Sequence, residues 1–193
     1  MAAVFLKTGA AAAQGGTPAA PPVRVAPVDA ALRDPGVTRA LAALDAGAPA
    51  MAAGLAALGA IESPSGQEHE RAAEVARRLR AMGMPEVQLD SLPNVVARIP
   101  GRSGRAIVFV STLDDLGSIP ALQRAAGTPP RVEGNRVVGP GTNTSATTEA
   151  MLAAAQAYLA TGRRPQHDLV FAAVAQEETG LVGMKALYAR YRA

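Results

Sequence analysis

Two short runs constrain the fold of this chain more than anything else in it: AIVFV at 106–110 and LVFAAVA at 169–175. Neither alternates polar with apolar residues. A strand with one wet face alternates, so unbroken apolar runs mark strands covered on both sides, as in an α/β sheet held between helices. Between them lie RVEGNRVVG (131–139), a hairpin pattern turning at Gly134-Asn135, and an Ala-rich helical stretch over 145–161 that stops at Gly162. Upstream, Asp34-Pro35 reads as an N-cap with proline at the first helical position, followed by Val37, Leu41 and Leu44 at helical spacing. Gly47 and Pro49 interrupt that pattern, so a separate second piece carrying Met51, Leu55 and Leu58 is expected. Ser65 and Glu68 have capping-box spacing before a helix with Ala72, Val75, Leu79 and Met82 on one face, which ends at Gly83. EVQLD (86–90) and NVVARI (94–99) are further strand candidates, and GLVGMKALYARYR is an amphipathic final helix. Helices alternating with buried strands predict an α/β domain of three layers, α/β/α, around a mostly parallel mixed sheet.

The 193 residues suit one domain. Hydrophobic residues make up 49% but aromatics only 3%, so the core has to be built from Ala, Val, Leu and Met. With no cysteine, disulfides and thiolate metal sites are excluded. The net charge is +3, carried mainly by arginines at 77–78, 102, 105 and 163–164. A nucleic-acid surface needs such charges on one face beside stacking aromatics, and in the sequence they are scattered, so solvated arginines and no nucleic-acid partner are expected. No unbroken apolar run approaches the ~20 residues of a membrane span. Residues 1–30 open with MAAVFLKTGAAAAQGG, lack a basic leader before the short apolar patch, and stay rich in Pro, Ala and Gly; they read as a disordered or signal-like tail ahead of a domain at 31–193. Cytoplasmic and exported locations both stay open.

Both buried runs end in acids. STLDD carries Asp114 and Asp115, and QEE carries Glu177 and Glu178. In open α/β sheets, ligands bind beyond the carboxyl ends of the strands. Adjacent carboxylates taken out of water need compensation, by a cation, a shared proton or a network of donors. A candidate site at this edge follows, with helix capping by the acids as the alternative. Asp114, Asp115 and Glu178 could hold a hard cation such as magnesium, calcium or manganese through oxygen. The only two histidines, His69 and His167, fall on a helix and at the far start of a strand, away from that edge.

The ordered series SPSGQEHERAAEVARRLRAMG, LDSLPNVVARIPG, VSTLDDL, GPGTNTSATTEAM and AQEETGLVGMKAL resembles the zinc metallopeptidases and deacylases that include aminoacylases, acetylornithine deacetylase, peptidase T and bacterial glutamate carboxypeptidases. The resemblance runs over roughly residues 50–190. It implies a catalytic domain in which two zinc ions share a bridging carboxylate and a water that attacks an amide carbonyl. By position it assigns Glu177 as general base, Glu178 as the adjacent metal ligand, and Asp114 as the acid that orients a ligating histidine. It also implies that the chain corresponds to the leading half of that domain, truncated relative to the whole, with the lid or dimerisation domain absent. One sheet edge is then expected to be incomplete and open to association.

The series departs from the family at the metal ligands. Thr112 stands where the family has a histidine, Thr144 where it has the bridging aspartate, and Ala146 where a lysine is common. Hydroxyls are poor zinc ligands, so Thr144 is expected to keep only a helix-capping role. Two functions remain in view. One is a zinc-dependent peptidase or amidohydrolase acting on small peptides or N-acyl amino acids; the other is a non-catalytic pseudoenzyme serving as a binding or assembly module.

Overall fold

A computed structural model of the chain describes residues 3–7 and 28–192. In chain order the elements are β1 (Ala3–Lys7), α1 (Val28–Leu32), α2 (Pro35–Ala60), α3 (His69–Ala81), β2 (Glu86–Leu89), β3 (Val95–Ile99), β4 (Arg105–Thr112), α4 (Ile119–Ala125), β5 (Arg131–Glu133), β6 (Arg136–Val138), α5 (Thr142–Ala160), β7 (Asp168–Val174) and α6 (Val182–Arg192). Five strands form one sheet in the order β1-β4-β7-β3-β2, and β5 and β6 form the expected separate hairpin.

The class is the expected α/β with a mixed sheet, but its balance differs. Only β4 and β7 are parallel, from Ala106 opposite Asp168 to Thr112 opposite Val174; β1–β4, β3–β7 and β2–β3 are antiparallel. Connection length explains this. The β2–β3 and β3–β4 links are short and reverse the chain, whereas a parallel pair needs a long crossover, which here contains α5.

The period-two alternation of β3 and β7 divides the core. Val95, Ala97, Ile99, Phe171 and Ala173 face one side, where they meet Leu58 of α2, Val75 and Leu79 of α3, and Met151 and Leu152 of α5. Val96, Val170, Ala172 and Val174 face the other side and pack on Leu187, with Met184 and Tyr191 beside it, from α6. Three layers result, with Phe109 and Phe171 stacked at 5.3 Å between centroids.

Three expectations are corrected here. First, α2 is one helix of 26 residues running through Gly47 and Pro49. Pro49 lies on an exposed part of the helix, where water can satisfy the carbonyl left without a donor. Its start is as expected: Asp34 accepts from Gly36 N at 2.7 Å and Val37 N at 3.2 Å. Second, the continuous α2 is long and apolar enough to cross a membrane by length and composition alone, with mean hydropathy 1.5 in its best window. Its last turns, with Ala56, Leu58 and Gly59 buried, pack against α5. Third, residues 3–7, assigned to the tail, form a strand antiparallel to β4, from Ala3 opposite Phe109 to Lys7 opposite Arg105. An uncovered β4 edge would leave a row of backbone donors and acceptors unpaired, and β1 satisfies it. The rest of the tail, at 8–27, lies outside the described residues. Among those residues, β1 and β2 are the outer strands of the sheet.

Candidate active site

Because β4 and β7 run parallel, the segments that follow them emerge at the same edge. Leu113 N bonds Val174 O at 2.9 Å, which ties the two exits together. The segment before α3 is stitched to them: Ser63 Oγ donates to Leu113 O at 2.8 Å, and Asp115 N donates to Ser63 O at 2.8 Å. The start of α5 closes the fourth side, where Thr148 Oγ1 donates to Thr112 O at 2.8 Å. Gly141 caps α5 with φ of +90°, and a Cβ there would sit 2.5 Å from Gly59 O. Glycine is what allows α5 to start this close to the end of α2.

Asp114 is fully buried. Its Oδ1 accepts Glu177 N at 3.0 Å; its Oδ2 accepts Glu178 N at 3.0 Å and Ser65 Oγ at 2.6 Å. The donor network foreseen for a buried acid is therefore present, and it consists of the backbone N–H groups of the glutamate pair and the Ser65 hydroxyl. Gln176, at φ +55°, turns the chain there, and its N–H is held by Glu68 Oε1 at 2.9 Å. Glu177 is half-buried and Glu178 exposed. Desolvation pushes the Glu177 carboxyl above its ordinary value, helped by the negative charges of Glu178 and Asp114 and by a hydrogen bond with Glu178. Asp114, Glu177 and Glu178 thus form one cluster, as their places in the sequence suggested.

Asp115 is also fully buried, and a different device compensates it. Arg71, 1% exposed, donates from Nη1 to Asp115 Oδ1 at 2.9 Å and from Nη2 to Oδ2 at 2.7 Å. The same guanidinium donates to Leu113 O at 2.9 Å and Ile61 O at 2.5 Å. Thr144 Oγ1 donates to Asp115 Oδ1 at 2.5 Å. Three expectations change accordingly. Asp115 faces a guanidinium and does not join Asp114 and Glu178 around a hard cation. Thr144 does not cap α5: the helix begins at Thr142 with Gly141 as its cap, and the Thr144 hydroxyl reaches outward to Asp115. The capping box before α3 does not form, because Ser65 serves Asp114 while Glu68 Oε1 accepts from Gly66 N and Gln176 N. His69 is exposed at the start of α3, and His167 Nδ1 lies 2.6 Å from Ser103 Oγ at the opposite end of the sheet.

A model of peptidase family M28 matches residues 94–192, which span both strand exits, Thr144 and the glutamate pair. The chain belongs to this family. Solved structures with the same fold include the di-peptidase Dug1p of Saccharomyces cerevisiae (16% identity, TM-score 0.63, covering 79% of this chain and 37% of that one). Human carnosine dipeptidase 1 (19%, 0.60, 79% and 37%) and the aminopeptidase PepT of Bacillus cereus (21%, 0.57, 70% and 38%) are similar in the same way. The chain spans less than two fifths of the length of each of these three structures. No curated protein matches its sequence.

M28 membership makes the chain peptidase-like and hydrolase-like by lineage, and it suggests metal use. The side chains present here do not fit a two-zinc centre. The two positions where the sequence resemblance expects metal ligands, Thr112 and Thr144, carry hydroxyls, and no group of three or more His, Cys, Asp or Glu side chains among the described residues could hold a metal. The buried carboxylate nearest Thr144 is already neutralised by Arg71. Arg71, Glu68 and Asn94 hold this cluster in place, and sequence reasoning passed over all three as site residues. Asn94 accepts Ala175 N at 3.0 Å and donates to Gly183 O at 3.2 Å, fixing the exit of β7 to the start of α6. Arg71 did carry a signal, since it lies four residues before Val75 and eight before Leu79, on the apolar face of α3.

Proposed function

We propose that this chain keeps the peptidase fold in a non-catalytic form, as a binding or assembly module whose site is held together by an internal ion pair in place of metal. One observation carries the reading: Arg71, buried and four times hydrogen-bonded, neutralises Asp115, which also accepts from Thr144, the residue that the sequence resemblance sets in place of a bridging aspartate. A guanidinium already in that place repels a divalent cation and occupies the carboxylate that would attract one. Zinc titration of the purified chain by calorimetry is expected to show no stoichiometric uptake, and N-acyl amino acids and dipeptides are expected to survive with zinc present. Two tightly bound zinc ions, or metal-dependent turnover by this chain alone, would overturn it.

A second reading rests on the other acidic cluster. Asp114 still aims the backbone of Glu177 and Glu178, and the Glu177 carboxyl is shifted upward, in the direction a general base requires. On this reading Glu177 is the base and Glu178 a zinc ligand in a hydrolase of small peptides or N-acyl amino acids, completed by further polypeptide. Zinc-dependent hydrolysis that appears only on co-expression with that polypeptide, and disappears in E177Q, is the outcome it requires. Association through the outer strands β1 or β2 accompanies either reading, and sedimentation velocity over a concentration series tests it.

A further inference from the structure

Arginines dispersed along the sequence are gathered by the fold. Arg102, Arg163 and Arg164 line one cleft of about 630 Å³ together with Tyr158 and Gln166, and no acidic residue among the described ones lines it. The cleft is formed by the turns before β4 and β7, at the end of the sheet away from Glu177. Two of the three guanidiniums are anchored. Arg163 Nη1 bonds Asp34 Oδ1 at 2.6 Å, and its guanidinium lies over Gly36, where a Cβ would come within 2.7 Å of it. Arg164 Nη2 donates to Gly101 O at 2.7 Å. The Arg102 backbone is tied to Gln166 O at 3.0 Å, while its guanidinium makes no ion pair among the described residues.

Among the described residues, three cations against one paired carboxylate, Asp34, leave a surplus of two positive charges at this cleft. The negative end of α5 favours cations nearby, but the bonds that Arg163 and Arg164 make go to Asp34 and Gly101, so helix capping does not account for their convergence. Arg102 and Arg163 both act electrostatically on the Tyr158 phenol, opposing the upward push that burial gives it, so the three side chains share one neighbourhood.

We propose that this cleft binds a phosphate group carried by a small molecule. A phosphate monoester is close to a dianion at neutral pH, matching the surplus of two charges. Guanidiniums bind such oxygens through paired N–H donors, and the Tyr158 hydroxyl adds a donor while its ring offers a flat wall for the rest of the ligand. The volume suits a small molecule. The site stands at the other end of the sheet from the acidic clusters, so its test succeeds or fails independently of the proposed function.

The test is calorimetric titration of the full chain with inorganic phosphate and, separately, adenosine monophosphate, in a low-salt buffer free of other oxyanions. Saturable one-to-one binding is expected for both, tighter for the nucleotide. Losing charge-assisted hydrogen bonds from two guanidiniums, R102A/R164A is expected to weaken binding by about a hundredfold. Arg163 is left in place because it holds Asp34, and an unchanged melting curve for the double variant shows that it still folds. No saturable heat up to roughly 10 mM ligand, equal binding by the double variant, or acetate binding as tightly as phosphate would overturn the proposal. Retardation of a single-stranded oligonucleotide without binding of either phosphate monoester would also overturn it, assigning the arginines to a nucleic-acid backbone.

Discussion

Replacing Arg71 with methionine removes a buried cation while keeping most of its length. Two hydrogen bonds to Asp115 are lost, and Leu113 O and Ile61 O lose a donor. Asp115, with no exposure to water, is left with the Thr144 hydroxyl and no opposing charge. Breaking a buried pair by removing one partner costs about 3–5 kcal/mol. In a protein of this size each kcal/mol lowers the melting temperature by about 2–4 °C, so R71M is expected to melt roughly 10 °C below the unaltered chain. Urea unfolding followed by circular dichroism measures the cost directly, with the slope checked for two-state behaviour. The double variant R71M/D115L replaces the pair with apolar side chains and is expected to recover much of the loss, since such replacements are often neutral. A cost for R71M below about 1 kcal/mol, the scale of an exposed pair, would refute the view that Arg71 supplies the charge that lets Asp115 be buried. A double variant no more stable than R71M would refute it equally.

Other perturbations test the remaining contacts. D114N sets an amide against backbone donors that a carboxylate accepts, and it is expected to cost about 1–3 kcal/mol and to speed amide exchange at Glu177 and Glu178. The Glu74 carboxyl is lowered from 4.5 to about 2, first by its hydrogen bond to Arg77, with Arg78 adding to the shift against the effect of burial. A depressed acid stabilises the fold above its unfolded value and loses that contribution as pH falls through the folded one. Hence E74Q is expected to lower stability at pH 7 by less than about 1 kcal/mol for this partly solvated pair, with the difference from the unaltered chain closing as the pH approaches 2. G183A would place a Cβ 2.3 Å from Asn94 Oδ1 and 2.5 Å from Ala175 O, and it is expected to cost about 1–3 kcal/mol in thermal unfolding.

The sequence alone determined the features that depend on neighbours along the chain. Two unbroken apolar runs required strands covered on both faces, and β4 and β7 lie between the two halves of the core. Asp34-Pro35 set the start of α2, Gly83 ended α3, and Gly134-Asn135 made the β5–β6 turn, because caps and turns involve only a few consecutive residues. The acidic pairs after the apolar runs pointed to one candidate edge, and the parallel pairing of β4 with β7 brings both exits there. Tertiary structure decided which partner each polar group took. Ser65 and Glu68 have the spacing of a capping box, but Asp114 and the Gln176 N–H, brought in from distant segments, claimed them instead. Arg71 met Asp115 across 44 residues, and Arg102 came to lie in one cleft with Arg163 and Arg164. Spacing along a chain fixes direction on a helix or strand, whereas an ion pair or a cleft depends on how separate elements pack, and that packing is settled by the core as a whole.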